Sequence, residues 1–237
     1  MHNATKSLVE MTLALTGSVT LLGMAGPIHA ASPPPATAVT GEASPHLMDR
    51  PTEIALALSA CPPPVASGAA VYVLERSGYL KVRESHNGFT AIVQHSLPMS
   101  QEPQCMDAEG TRTLLPRMLK VAELRAQGKS ADEIRAFVAR AFATGLFRPP
   151  ARVGVDYMLS THNLVQNSQG AVTPFPPHVM FYAPYLTNAE LGLDGSRDAD
   201  GNPQAPAFVA AAGTPQALII VPVGAHEQAT HTVHFSP

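Results

Sequence analysis

The order in which hydrophobic periods appear along this chain restricts its fold most. Residues 70–75, 79–84 and 89–95 form three short runs carrying the β-branched residues Val71, Val73, Val82, Ile92 and Val93. Such side chains are stiff at χ1 and fit a pleated surface. Arg76-Ser77-Gly78 and His86-Asn87-Gly88 separate the runs. Asn-Gly is a strong hairpin signal because both residues tolerate positive φ. The three runs therefore predict an antiparallel meander. Residues 97–110, with two prolines and Cys105, read as a loop.

The period then changes. Residues 114–127 place Leu115, Met118, Leu119 and Ala122 at helical spacing, with Pro116 in the first turn, where a missing N–H costs little. Residues 130–144 open on Ser130-Ala-Asp-Glu133, a capping box, and carry Ile134, Phe137, Val138, Ala141 and Phe142 along one face. Strand patterns return at 152–160, 178–183, 216–223 and 229–235, with Gly224 to Glu227 turning the last two into a hairpin. A turn through Asn167–Gly170 lets strands 152–160 and 178–183 pair. A short helix over 52–60, capped by Thr52 and stopped by Pro62-Pro63-Pro64, precedes all of these. Segregated strands and helices predict an α+β fold: an antiparallel sheet of about six to seven strands packed against a helical pair.

The chain of 237 residues reads as three parts. Residues 1–30 have the order of a secretory signal peptide: Lys6, a mostly apolar stretch over 11–24, then the small-residue end Pro27-Ile28-His29-Ala30-Ala31. Residues 31–51, with Pro33-Pro34-Pro35 and many Ala, Thr and Ser, read as a flexible tether. Residues 52–237 read as one globular domain. The expected location is secreted or periplasmic. In such a compartment an even pair of cysteines, Cys61 and Cys105, favours a disulfide over two buried thiols. Leu58-Ser59-Ala60-Cys61 also has the look of a lipidation box, but it lies deep behind a better signal.

Charge narrows the partners. A net charge of −3 excludes a nucleic-acid binder held by bulk positive charge. No apolar run reaches the roughly 18–20 residues of a membrane span. Residues 112–152 hold nine Lys or Arg against three acids, whereas 153–237 hold one Arg against six acids. Arg117, Lys120 and Arg125 read as scattered around their helix, which favours solvated faces over a surface for an anionic partner.

The histidines carry the remaining chemistry. His226 and His231 imitate a zinc-protease helix but stand five apart, so a helix would not bring both rings onto one metal. Asp198-Ala-Asp200-Gly201 imitates a calcium loop but has Ala207 where the bidentate Glu belongs. The segment 174–188 gathers His178, Tyr182, Tyr185, two Phe, Met180 and four prolines. Proline fixes φ and lowers the entropy cost of holding polar side chains in place. This segment is the candidate wall of a pocket, with Tyr157 on the neighbouring strand. A Ser160–His178 pair oriented by Asp156 or Asp107 is the catalytic alternative. His162 and His178 with His95 or His86 form a nonspecific set of zinc donors. No serine elbow, phosphate loop, haem motif or dinucleotide fingerprint occurs, so no cofactor is expected.

Glu53-Ile-Ala-Leu-Ala, Gly78-Tyr79, Asn87-Gly88-Phe89, Tyr157-Met-Leu-Ser160 and Pro177-His178-Val-Met-Phe-Tyr182-Ala-Pro184 together resemble a group of exported bacterial proteins with no assigned activity. The resemblance implies export and a single domain, and it carries no catalytic residue across. Three functions are expected in order. The first is noncatalytic binding of a small ligand or partner around His178. The second is a secreted hydrolase, metal-dependent or not, using His178 with His162 or Ser160. The third is a structural protein of the envelope.

Overall fold

A computed structural model describes residues 45, 47–167, 169–193 and 207–223. The expected signal peptide, most of the expected tether, residues 198–201, the histidines 226, 231 and 234 and the strand expected at 229–235 lie outside the described residues.

Helix α1 (Arg50–Ser59) starts two residues before the expected position. Asp49 caps it, its Oδ2 accepting from Thr52 N at 3.1 Å, and Pro51 sits in the first turn. The end of the expected tether is thus helical. The short α2 (Pro63–Ala66) follows on the proline run. Strands β1 (Ala70–Glu75) and β2 (Gly78–Arg83) form the expected hairpin, and β3 (Thr90–Gln94) comes next.

The three strands do not form the expected meander. β3 does not return along β2. It crosses to the far side of β1 and pairs with it in parallel, Ala70 with Thr90 and Val71 with Ala91. Asn87-Gly88 does turn the chain, with Gly88 at φ 81°. The side chain of Asn87 explains the outcome. It donates to the Val65 carbonyl and accepts from Phe89 N, which fastens the turn to α2 rather than to a two-residue hairpin.

The expected loop at 97–110 contains a strand, β4 (Glu102–Met106), antiparallel to β3. Pro103 hid it. The next strand, β5 (Val155–Met158), pairs only with Cys105 and Met106, so Pro103 sits beyond its reach, where a missing N–H is tolerated. Between them come α3 (Ala108–Thr113), α4 (Leu115–Ala126) and α5 (Ala131–Ala143). The capping box at α5 is made: Ser130 Oγ accepts from Glu133 N and Glu133 Oε2 accepts from Ser130 N.

After β5 the chain forms β6 (Leu164–Gln166), β7 (Val172–Pro174), β8 (His178–Tyr182), β9 (Phe208–Ala210) and β10 (Leu218–Pro222). β5 and β8 pair antiparallel as expected, but the Asn167–Gly170 turn closes a separate two-stranded hairpin of β6 and β7. Among the described residues the main sheet has eight strands in the order β2-β1-β3-β4-β5-β8-β10-β9. It is mixed and mostly antiparallel, wider than the six or seven strands expected.

Helices lie on both faces: the expected pair covers one, with α4 on the sheet and α5 on α4, and α1 covers the other. On one face, Ala57, Ala60 and Cys61 pack on Val71, Ala91, Val93 and Cys105. On the other, Leu114, Leu115 and Met118 pack on Ile92, Met106 and Tyr182. α5 packs on α4 through Ile134 against Val121 and Leu124. Cys61 and Cys105 form a disulfide that ties the end of α1 to β4, so the Cys61 sulfur is not free for acylation. No helix among the described residues is long and apolar enough to cross a membrane.

Candidate functional site

Alternation along β8 sends His178, Met180 and Tyr182 to the α4 side of the sheet. Register then sets their neighbours: Met158 lies opposite His178, and Ile220 opposite Met180. Met158, Met180, Ile220 and Phe208 make an apolar floor. Above it, between α4 and the β6–β7 hairpin, is a cavity of about 530 Å³ lined by this floor, His178, Phe175 and Leu218. Its size falls within the usual range for small-molecule sites. The hairpin is held over the sheet by β4's lead-in: Gln101 N donates to the Leu164 carbonyl at 2.8 Å, and Gln166 N to Ser100 Oγ at 3.0 Å.

His178 is 2% exposed. Its Nδ1 is 2.9 Å from the Pro176 carbonyl. A carbonyl only accepts, so Nδ1 carries the proton and Nε2 keeps a lone pair. Burial lowers the ring's pKa from its ordinary value, with the Pro176 bond opposing, so His178 is neutral at neutral pH. The Phe175 ring stands edge-on to it at 4.8 Å and fixes its plane. Pro176 supplies that carbonyl, in a run that also holds Pro174 and Pro177.

The opposite wall is polar. Gln104 Nε2 donates to Gln94 Oε1 at 3.0 Å, and both line the cavity. Glu102 lines it too, but both its oxygens accept from Ser96. Burial raises its pKa, against those bonds and the attraction of Arg125. Arg117 of α4 reaches in from the helix side. Among the described residues its Nε is buried and has no hydrogen-bond partner.

The other residues singled out in the sequence are dispersed. Tyr182 is buried, and its hydroxyl lies 2.9 Å from the Val155 carbonyl and 3.1 Å from Asp107 Oδ1, in the wall between β8 and α3 rather than in the cavity. Tyr185 is 57% exposed and strained at φ 68°. Tyr157 is on the opposite face, stacked on Phe89. Ser160 Oγ accepts from His162 N at 3.1 Å and bonds Ser59 Oγ at 2.8 Å. The His162 ring is exposed, with Nδ1 by Thr161 Oγ1. Among the described residues the only hydrogen-bonding partner of the His178 ring is the Pro176 carbonyl. Asp107 caps α3 and accepts from Gly110 N and Val155 N. Asp156 is fully buried beside Tyr182, and neither of its oxygens makes a hydrogen bond of normal geometry among the described residues. Burial pushes its pKa up to about 8; the Cys105 N–H offsets part of this and the charge of Asp107 adds to it. Among the described residues no three His, Cys, Asp or Glu side chains cluster as a metal site.

The sequence reading missed Arg117, Gln94 and Gln104. A signal for Arg117 was present. At about 100° per residue Arg117 falls between Leu124 and Val121, inside the buried stripe of α4, and Arg125 falls between Leu114 and Met118. These two arginines are half-buried on the inner face, not scattered over a solvated one. Gln94 and Gln104 carried no signal, because polar residues alternating in strands ordinarily face water.

No protein-family model matches the chain, no curated protein matches it in sequence, and no solved structure matches its fold.

Proposed function

We propose that this is an exported protein that binds a small, largely apolar molecule without transforming it, in the cavity floored by β5, β8 and β10. The carrying observation is the fixed, neutral His178 in an apolar wall, its Nε2 left as an acceptor for one ligand donor. Export accords with the leader pattern of residues 1–30, with the disulfide, which persists in oxidising compartments, and with the resemblance to an exported bacterial group. A hydrolase finds less support, since Ser160 is bonded to Ser59 and His162 and makes no bond to His178. An envelope scaffold would leave the cavity without a purpose.

The test is a thermal-shift screen of the full chain with small hydroxylated apolar molecules. A binder at a hundred times its Kd raises stability by about 2.7 kcal/mol. His178→Ala abolishes the shift if the acceptor matters. A panel without a saturable hit, or turnover of an ester substrate, removes the reading. Intact mass of the exported chain tests cleavage near residue 30.

A further inference from the structure

Arg117 stands where three cavities meet. It lines the His178 cavity, a second of about 280 Å³ between α4 and β1–β3, and a third of about 660 Å³ between α4, α5 and the 211–216 turn. Among the described residues no other lines all three. Its neighbour along the helix face, Arg125, lines the second and third, and donates to the carbonyls of His95 and Ser96. Arg117 has no comparable engagement: among the described residues no hydrogen bond or ion pair satisfies its guanidinium.

A half-desolvated guanidinium beside a second arginine is costly in a binding wall made mainly of apolar atoms. Burial, and then Arg125, weaken its hold on the proton relative to an ordinary arginine. Among the described residues Glu102 is the one carboxylate lining the His178 cavity, and it is occupied on both oxygens by Ser96. An incoming oxyanion therefore meets a guanidinium with unspent hydrogen-bonding capacity among the described residues, and charge-assisted hydrogen bonds to such a group are the strong ones. Apolar cavities extend from that point, so the anion is the head of a molecule with an apolar body. We propose that Arg117 is the head-group residue of the cavity and that the ligand class is a single-tailed amphiphile with an oxyanion head. This rests on the cavity being a ligand site, and it adds the specificity.

Three probes with one tail separate the possibilities: decanoate, decyl phosphate and decanol, titrated calorimetrically into the full chain. Decanoate or decyl phosphate is expected to bind at least tenfold tighter than decanol, and the stronger of the two identifies the head. Arg117→Met, which keeps length and apolar bulk, is expected to lower anion binding to the decanol level and leave decanol unchanged. Arg117→Lys keeps the charge without the fork and is expected to fall between; it serves as the test if Arg117→Met does not fold. Equal binding of all three to the wild type overturns the head-group inference while the cavity reading stands. Binding of none overturns the cavity reading itself. An anion preference that survives Arg117→Met shows that another residue supplies the charge.

Discussion

Asp156 is the residue whose surroundings have the clearest thermodynamic consequence. It is a carboxyl with 0% exposure, raised by burial to about 8 from an ordinary 3.8. Between those values the folded chain holds a proton that the unfolded chain releases. Stability conferred at acidic pH is therefore lost as pH rises toward 8, at up to about 1.4 kcal/mol per pH unit. Asp156→Asn is nearly isosteric and does not titrate. Its melting temperature is expected to exceed the wild type's by a margin that grows from pH 4.5 to pH 7.5. Parallel melting curves for the two proteins across that range would show that Asp156 does not titrate there. Glu53 works in the same direction: it is buried on α1, bonded to Leu74 N at 2.7 Å, and raised by burial to about 7.

At the scale of elements, α3 is set against the sheet by closeness. A Cβ on Gly110 would stand 2.2 Å from Tyr182 Oη and 2.8 Å from Met106 Cβ, and one on Gly154 would stand 2.5 Å from Tyr182 and Asp107. These glycines are there for space rather than for φ. Gly110→Ala is expected to destabilise by about 1–3 kcal/mol or more, measured by urea unfolding. Adding Tyr182→Phe removes the nearest clashing atom, so the double variant is expected to be less unstable than the sum of the two. Additive losses would place the strain elsewhere. The α5 cap is a cheaper element: Ser130→Ala is expected to cost about 0.5–2 kcal/mol.

For the molecule as a whole, the disulfide joins the α1 layer to the middle of the sheet across 44 residues. By the loop-entropy model, losing it costs about 4 kcal/mol. Cys61→Ala with Cys105→Ala is expected to lower the urea midpoint accordingly. Alkylation of the wild type without reductant is expected to leave its mass unchanged, and a gain of two adducts would show free thiols.

How much was legible depended on the range of the interaction. The sequence by itself determined β1, the α5 capping box and both helices of the pair. Period, caps and turn residues act within a few positions, and the signal there is local. It also marked His178 and its prolines, because a rigid aromatic segment is visible in composition. Only the tertiary structure decided that β3 lies parallel to β1, since Asn87 chose the Val65 carbonyl over a hairpin partner. Only it revealed β4, because Pro103 forbids a strand unless the neighbouring strand stops short. The cavity was likewise hidden: Tyr182, Tyr185 and Tyr157 are near in sequence or strand order to His178 yet face three other surroundings. Arg117 reaches His178's cavity from 61 positions away. A helix shows its own inner face in its period, but what that face meets is set by sheet order, which is a long-range property of the whole chain.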